Sequence, residues 1–371
     1  MTNKFTVKVV KIESITEIPG ALNLEIANIA GWQCVVRKNS HPVGSLAIYI
    51  PIDSVLPHEV ESKLFGPDSK VKLHKSRVKS IKLRGAVSQG MLAPCEEFNV
   101  PAEEGYDCTE ELKITKYEPP EAPATMSGGL QVKKLKKNPH FPEYGGLDNF
   151  KNYPKLFEEG EQVVITEKIH GTNFRCGWVK AAPDTFFKRV LQFFHLLPKY
   201  EFVYGSNRVQ LQNKMIHKGY YEKNVYAEAV KNYNLKENMK AFPGTLIYGE
   251  IYGDGIQKGY NYGCATGVQK LVAFDVHQED DQGNKTFLNH AVAKRFIKGL
   301  GLDMVPVLYE GPYDAKKAKE LTVGNSVLAP TQKVREGVVI RPAEETKVYI
   351  GRKVLKLISD EYLLGDQSDF H

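Results

Sequence analysis

The sequence predicts an α+β protein in two parts. An all-β domain spans residues 1–118, a connection spans 119–147, and a mixed domain with antiparallel sheets spans 148–371. Three observations predict this. The first part is filled by short runs of β-branched and aromatic residues separated by Gly and Pro turns. Between them, Pro119-Pro120, Pro123, Ser127-Gly128-Gly129, Pro139, Pro142 and Gly145-Gly146 exclude regular structure. From Phe150 onward, strand and helix periodicities mix without strict alternation.

In the first part, strands are predicted over Phe5–Ile12, Leu24–Ile29, Trp32–Val36, Leu46–Ile50 and Met91–Ala93. The turns Ile18-Pro19-Gly20-Ala21 and Val43-Gly44 separate them, giving a small barrel or sandwich. Residues 63–84 are strongly basic: Lys63, Lys70, Lys72, Lys75, Arg77, Lys79, Lys82 and Arg84 face one acid, Asp68. An isolated charge run is usually a solvated face. On a small barrel, Lys72, Lys75, Arg77, Lys79, Lys82 and Arg84 would also suit a phosphate backbone. A second basic knot, Lys133-Lys134-Leu135-Lys136-Lys137, lies in the connection.

In the second part, strands are predicted at Val163–Ile165, Glu201–Gly205, Leu246–Gly253, Leu271–Val276, Val334–Pro342 and Arg352–Ile358. Helices are predicted over Phe186–Leu197 (a core or capping helix), Tyr221–Asn232 and Leu288–Leu300.

Composition narrows the function classes. Hydrophobic residues make up 42% and charged residues 25% of 371, as in ordinary globular proteins. A net charge of +6 permits a polyanionic partner without demanding one. No apolar run is long enough to cross a bilayer as a helix, and no signal peptide is expected. The five cysteines, Cys34, Cys95, Cys108, Cys176 and Cys264, are scattered without zinc-ligand spacing. They imply a reduced intracellular compartment: cytoplasm or nucleus, or host cytoplasm for a viral protein. A monomer without membrane association is expected.

One stretch organises the second part: Thr166-Glu167-Lys168-Ile169-His170-Gly171-Thr172-Asn173-Phe174. An apolar strand delivers Lys168 onto a turn, where Gly171 avoids a Cβ clash and Thr172 and Asn173 offer polar groups. A lysine held there is a nucleophile if burial or neighbouring cations lower its pKa. Lys353, Lys356 or a bound metal would supply the cations. Taken alone, the stretch also fits a strand followed by an ordinary turn with Lys168 solvated.

This stretch resembles the active-site lysine motif of the covalent nucleotidyltransferases: ATP-dependent RNA ligases, DNA ligases and mRNA capping enzymes. DNA ligases and capping enzymes usually carry aspartate where this chain has His170, and the string looks like the RNA ligase version. The resemblance continues in order through Ser206-x-Arg208, Tyr248-Gly249-Glu250-x-Tyr252-Gly253, Phe274-Asp275, Glu336-Gly337-Val338-Val339-Ile340-Arg341-Pro342 and Lys356, covering residues 150–360. The pattern Ile18-Pro19-Gly20-Ala21, Gly31-Trp32, Gly44-Ser45 is similar to an OB-type barrel of the tRNA-binding kind. An OB domain in front, with only 15 residues after Lys356, resembles the RNA ligases with an N-terminal OB module.

The resemblance implies roles. Lys168 would be the nucleophile that becomes lysyl-AMP. Lys356, with Lys353, would hold the α-phosphate, although strict alternation sets the two on opposite strand faces and favours Arg352 as Lys353's competitor. Glu336 would bind Mg2+ or Mn2+, and Glu250 the ribose hydroxyls. Glu167 would meet the adenine edge and Phe274 would stack on it. Arg208 would reach a ribose or the RNA 5′-phosphate, and His170, Gly171, Thr172 and Asn173 would complete the ATP site. The implied activity joins 3′-OH and 5′-phosphate ends of RNA or RNA-containing duplexes, typically nicks whose 3′-OH strand is RNA, through lysyl-AMP and RNA-adenylate. The competing readings are a DNA ligase or GTP-dependent capping enzyme, and a non-catalytic OB-fold RNA-binding protein.

Overall fold

The structure is a computed structural model. It describes residues 5–66, 73–117, 137–183, 190–191, 193–194, 196–211, 224–280 and 282–365. The chain divides into two compact units: residues 2–120 with 148–157 and 357–371, and residues 121–147 with 158–356.

The first unit is built on short antiparallel strands. β1 (Lys8–Lys11) pairs with β5 (Leu46–Ile50), which pairs with β6 (Met91–Pro94). β2 (Ser14–Glu17), β3 (Leu24–Ile29) and β4 (Trp32–Arg37) form a second sheet. Burial along β3 and β4 alternates with a period of two, as expected for strands with one face inward. Ile12, Ala27, Ile29, Cys34, Val36 and Tyr49 fill one core; Val7, Val9, Ile48, Ile50, Val60 and Val78 fill another.

Residues 148–157 belong to this unit rather than to the mixed domain in which the sequence reading put them. Trp32 Nε1 donates to Asn152 Oδ1 at 2.8 Å, and a Cβ on Gly31 would lie 2.3 Å from the Lys151 carbonyl oxygen. Glycine is therefore required there by close backbone approach.

The second unit carries two antiparallel sheets. In one, β7 (Gln162–Lys168) lies between β12 (Val307–Pro312) and β13 (Gly337–Pro342), and β14 (Leu355–Ile358) flanks β13. In the other, β8 (Thr172–Lys180) lies between β9 (Tyr200–Gly205) and β10 (Thr245–Gly253), and β11 (Gln269–Glu279) follows β10. Helices Val225–Asn232 and His290–Gly299 bury Val225, Ala229, Ala293 and Ile297 in the core of this second sheet. The chain passes from one sheet to the other through the three residues Ile169-His170-Gly171.

Two expectations need correction. The predicted strand Arg352–Ile358 breaks: Gly351–Arg352 pairs with Lys347–Val348 in its own hairpin, and the core strand starts at Leu355. The Phe186–Leu197 segment is not a core element where it is described, since Phe193, Phe194 and Leu196 are exposed. Residues 186–189, 192 and 195 of it lie outside the described residues, as do Lys70, Lys72, Asp68, 118–136 and 221–223.

Candidate active site

Register assembles the site. Lys168 at the end of β7 sits opposite Gly337 at the start of β13, so Glu336 arrives beside it. Asn173 on β8 sits opposite Glu250 on β10. The linking turn is tight: a Cβ on Gly171 would lie 2.2 Å from the Ile251 carbonyl oxygen and 2.9 Å from Glu250 Cγ. The Gly171 backbone N–H hydrogen-bonds the Glu250 carboxylate, and its carbonyl accepts from Gln257 Nε2 at 2.8 Å.

These elements line a cavity of about 220 Å³. Of the predicted site residues, Glu167, Lys168, Asn173, Glu250, Phe274 and Lys356 line it. Lys168 Nζ donates to Glu336 Oε1 at 2.6 Å. Burial acts to lower the lysine's pKa, but the Glu336 and Glu250 carboxylates together outweigh it, and the group lies above its ordinary value. The sequence expectation was the opposite, a lysine depressed by cationic neighbours. Burial, with Glu336 nearby, pushes Glu250 up to about 8 against the pull of Lys168.

Glu336 is 6% exposed, and its Oε2 has no hydrogen-bond partner, with His170 Nδ1 3.9 Å away. Glu167 is buried. Its Oε2 accepts from the backbone N–H of Val327 and Leu328 at 2.8 and 3.3 Å, while Oε1 is unpartnered. Asn173 Oδ1 is likewise unpartnered. Buried acceptors without donors are costly and rare, and here two belong to cavity-lining residues, Glu167 and Asn173, and the third to Glu336, which bonds the lining residue Lys168.

Other predicted residues play different parts. The His170 backbone N–H donates to Tyr262 Oη at 2.8 Å, and its ring packs edge-on against Tyr260. Thr172 Oγ1 lies 2.9 Å from Tyr226 Oη. Both support the turn rather than line the cavity. Arg208 is exposed and does not line it; its neighbour Asn207 does. Lys353 is also turned elsewhere: its Nζ donates to Glu161 Oε2 at 2.7 Å. Arg352 bonds Asp275 at 2.7 Å and grips both Glu345 oxygens, so it braces the wall instead of facing the cavity.

The sequence reading missed Tyr144, Gly145, Gly146 and Leu147, all of which line the cavity. Their Gly-rich neighbourhood reads as a connection, and only the isolated aromatic Tyr144 hinted otherwise. Tyr144 donates to Asp275 Oδ2 at 2.9 Å and packs edge-on against Phe274, with ring centroids 4.9 Å apart.

In the first unit, Arg77 is buried. It donates to Asp53 Oδ1 at 2.5 Å and stacks over Tyr117 at 3.7 Å, so it is a structural residue and not a free cation for nucleic acid. Lys75, Lys82 and Arg84 are exposed, Lys79 is half-buried, and Lys72 lies outside the described residues. Arg84-Gly85 turns the hairpin between Ile81–Leu83 and Ala86–Ser88 with positive φ at both residues.

Comparison with known proteins bears on both units. The family model described as RNA ligase matches residues 161–358, more than half of the chain. An OB-fold domain model matches residues 6–95. Among solved structures, a mutant Naegleria gruberi RNA ligase with ATP and Mn is similar with 22% identity, covering 97% of this chain and 98% of that one at a TM-score of 0.73. An apo mutant of the same Naegleria protein matches at 22% identity over 98% of both chains with a TM-score of 0.74. Its complex with PPi gives 22%, 97% and 98%, and 0.72. At this identity the likeness establishes the shared fold.

Proposed function

Because the chain belongs to the RNA ligase family, we propose that it is an ATP-dependent enzyme joining 3′-OH and 5′-phosphate ends through a lysyl-AMP intermediate at Lys168. The favoured substrates are nicks in duplexes whose 3′-OH strand is RNA. The observation that carries this reading is the grouping of Lys168, Glu250, Asn173, Phe274, Glu167 and Lys356 around one cavity, two of which, Glu167 and Asn173, carry a buried acceptor without a donor. The similar Naegleria structures hold ATP, AMP, Mn or PPi, which supports the same nucleotide chemistry here.

In the first step the Lys168 amine attacks the α-phosphorus of ATP. An N–P bond forms, the bond to the bridging oxygen breaks, and pyrophosphate leaves with its electron pair. The RNA 5′-phosphate then takes the AMP and regenerates the lysine. Finally the 3′-OH attacks that 5′-phosphate and AMP leaves.

Lys168 must shed its proton before attack, and at rest the Glu336 carboxylate, its direct hydrogen-bond partner, holds it as a cation. Lys356, in the same cavity, would neutralise the α-phosphate. Phe274 would cover the base, and Glu167 Oε1 would accept from the adenine amino group.

A divalent cation fits this site through Glu336. Its Oε2 is buried without a hydrogen-bond donor, and a carboxylate is a hard ligand of the kind Mg2+ and Mn2+ prefer. Among the described residues no group of three or more His, Cys, Asp or Glu side chains forms a protein-only ligand set. Phosphate oxygens and water would therefore complete the coordination. The cation would neutralise charge on the phosphates.

RNA contact through Lys75, Lys79, Lys82 and Arg84, a monomeric state, and an intracellular reducing compartment in which the five buried cysteines stay thiols complete the proposal. The test is incubation with α-labelled ATP and Mg2+ or Mn2+ after pyrophosphate pretreatment, followed by denaturing electrophoresis. A labelled band absent in Lys168→Ala is expected. A Lys168→Ala protein that still joins 5′-phosphorylated ends with ATP overturns the reading, and a band with GTP alone moves it to capping chemistry.

A further inference from the structure

The segment 138–147 has no regular secondary structure, yet it is among the most heavily anchored stretches of the second unit. Asn138, 4% exposed, donates from its Nδ2 to the Lys180 carbonyl and to Glu201 Oε1, and from its backbone N–H to Gln210 Oε1. His140 Nδ1 lies 2.9 Å from Glu279 Oε1. The Phe141 carbonyl accepts from Arg175 Nη1 at 2.6 Å, and the Pro142 carbonyl accepts from Tyr248 Oη at 3.1 Å. The Tyr144 backbone N–H donates to Asn207 Oδ1 at 2.8 Å. The far end of this strap is the cavity wall formed by residues 144–147.

Arg175 is the least expected member of that set. It is fully buried on β8, two residues beyond Asn173 and therefore on the same strand face. No described carboxylate hydrogen-bonds it. Its Nε donates to the Ser206 carbonyl at 2.9 Å, its guanidinium stacks 3.9 Å over the Phe141 ring, and its Nη2 has no partner. Burial lowers its pKa to about 10, which leaves it a cation at neutral pH. The field of Glu143, itself on the strap, supports the cation, but a buried cation without a direct ion pair is a poor stabilising device. What it achieves is geometric: one rigid fork bridges two irregular segments, the strap at Phe141 and the turn at Ser206. Each segment sends a residue into the cavity wall immediately afterwards, Tyr144 from the strap and Asn207 from the turn, and these two bond each other.

We propose that Arg175 is a positioning residue for the nucleoside end of the nucleotide cavity: it holds the 138–147 strap and the Ser206–Asn207 turn in register, so that Tyr144 fixes the Phe274 ring for an adenine base. The proposal rests on the reading of the cavity as an adenosine-nucleotide site. Arg175 touches no cavity atom itself, since it is absent from the lining. Its effect is therefore on nucleotide affinity, while the reacting groups Lys168 and Lys356 keep their places.

The test compares full-length wild-type protein with Arg175→Lys and Tyr248→Phe, measuring ATP and AMP binding by calorimetry and adenylation rate against ATP concentration, with thermal melting alongside. Lysine keeps the charge but cannot bridge two carbonyls, and phenylalanine removes only the hydroxyl that holds Pro142. The expected result is a rise in Kd and KM of about tenfold for Arg175→Lys and about threefold for Tyr248→Phe. The rate at saturating ATP should remain within about twofold of wild type in both. A role confined to stability would instead reduce the active fraction and the saturated rate with KM unchanged, and that pattern overturns the proposal. Wild-type affinity in both variants overturns it as well. If Arg175→Lys does not fold, Tyr248→Phe decides on the same readings. If the wild-type protein itself binds no adenosine nucleotide, it is the nucleotide-site reading that fails.

Discussion

The ion pair between Lys168 and Glu336 makes a quantitative prediction that does not depend on nucleotide or metal. The two groups meet at 2.6 Å, with the lysine side chain 26% exposed and the glutamate 8% exposed. In Glu336→Gln the acceptor oxygen survives but the negative charge is lost. A hydrogen bond to a charged partner contributes about 1.5–3 kcal/mol. That energy stabilises only the protonated amine, so its loss raises the population of free amine about ten- to hundredfold at pH values below the lysine's own. Glu250 adds to the effect only as pH rises past about 8, where it ionises. The assay is modification of the metal-free, nucleotide-free protein by an amine-selective reagent across pH 7–10, with the Lys168 peptide quantified by mass spectrometry against a surface peptide bearing Lys316. Labelling of Lys168 should accelerate in the variant at neutral pH while Lys316 does not change. Identical pH profiles for wild type and variant would refute the claim that Glu336 holds Lys168 in its resting cationic form.

Three further outcomes are expected. Lys356→Ala should abolish enzyme adenylation at least a hundredfold, as removal of a group meeting transition-state charge does, whereas Lys353→Ala, whose partner is Glu161, should cost less than about tenfold; rates with α-labelled ATP separate them. Glu250 is pushed up to about 8 from an ordinary 4.5, so the folded state holds a proton that the unfolded chain releases between those values. Stability therefore falls as pH rises through this window, and Glu250→Gln should melt several degrees higher than wild type at pH 8.5 but not at pH 4.5. Arg77→Met should destabilise the first unit by about 1.5–3 kcal/mol in urea titration because it removes the charge-assisted hydrogen bonds to the half-buried Asp53, while Lys82→Ala and Arg84→Ala should leave stability unchanged and weaken RNA binding in a salt-dependent way.

The linear order of motifs made the second unit's site largely legible in advance. Lys168, Glu250, Phe274, Glu336 and Lys356 each end or punctuate a strand, and strand pairing brings such residues together once the sheet forms. Period-two burial made Leu24–Ile29 and Trp32–Arg37 equally readable. What stayed hidden was held by tertiary contacts between irregular segments. The 138–147 strap has the composition of a linker, and only the buried side chains of Arg175, Asn138 and Asp275 turn it into a wall. Strand alternation already sets Lys353 apart from Lys356, but it favours Arg352 in its place, because the break at 353–354 is invisible when the flanking residues all suit a strand. Arg77 looked like one cation among eight, and nothing in a charge run reveals that Asp53 waits for one of its members.

The short link between the two sheets has a consequence for synthesis. Lys168 and Glu336 are 168 positions apart, and Lys356 comes later still. The intervening chain must complete one sheet and return to the other before Lys168 meets either partner. Lys168 leaves the ribosome early, flanked by its turn, yet without Glu336 and Lys356 it is one more lysine at a strand end. On the proposed mechanism, a chain halted anywhere before residue 336 lacks Glu336 and Lys356 and should not react with ATP, and the unsealed edge of β7 is then the exposed feature. Covalent marking of Lys168 would therefore report that the second unit has been made and closed.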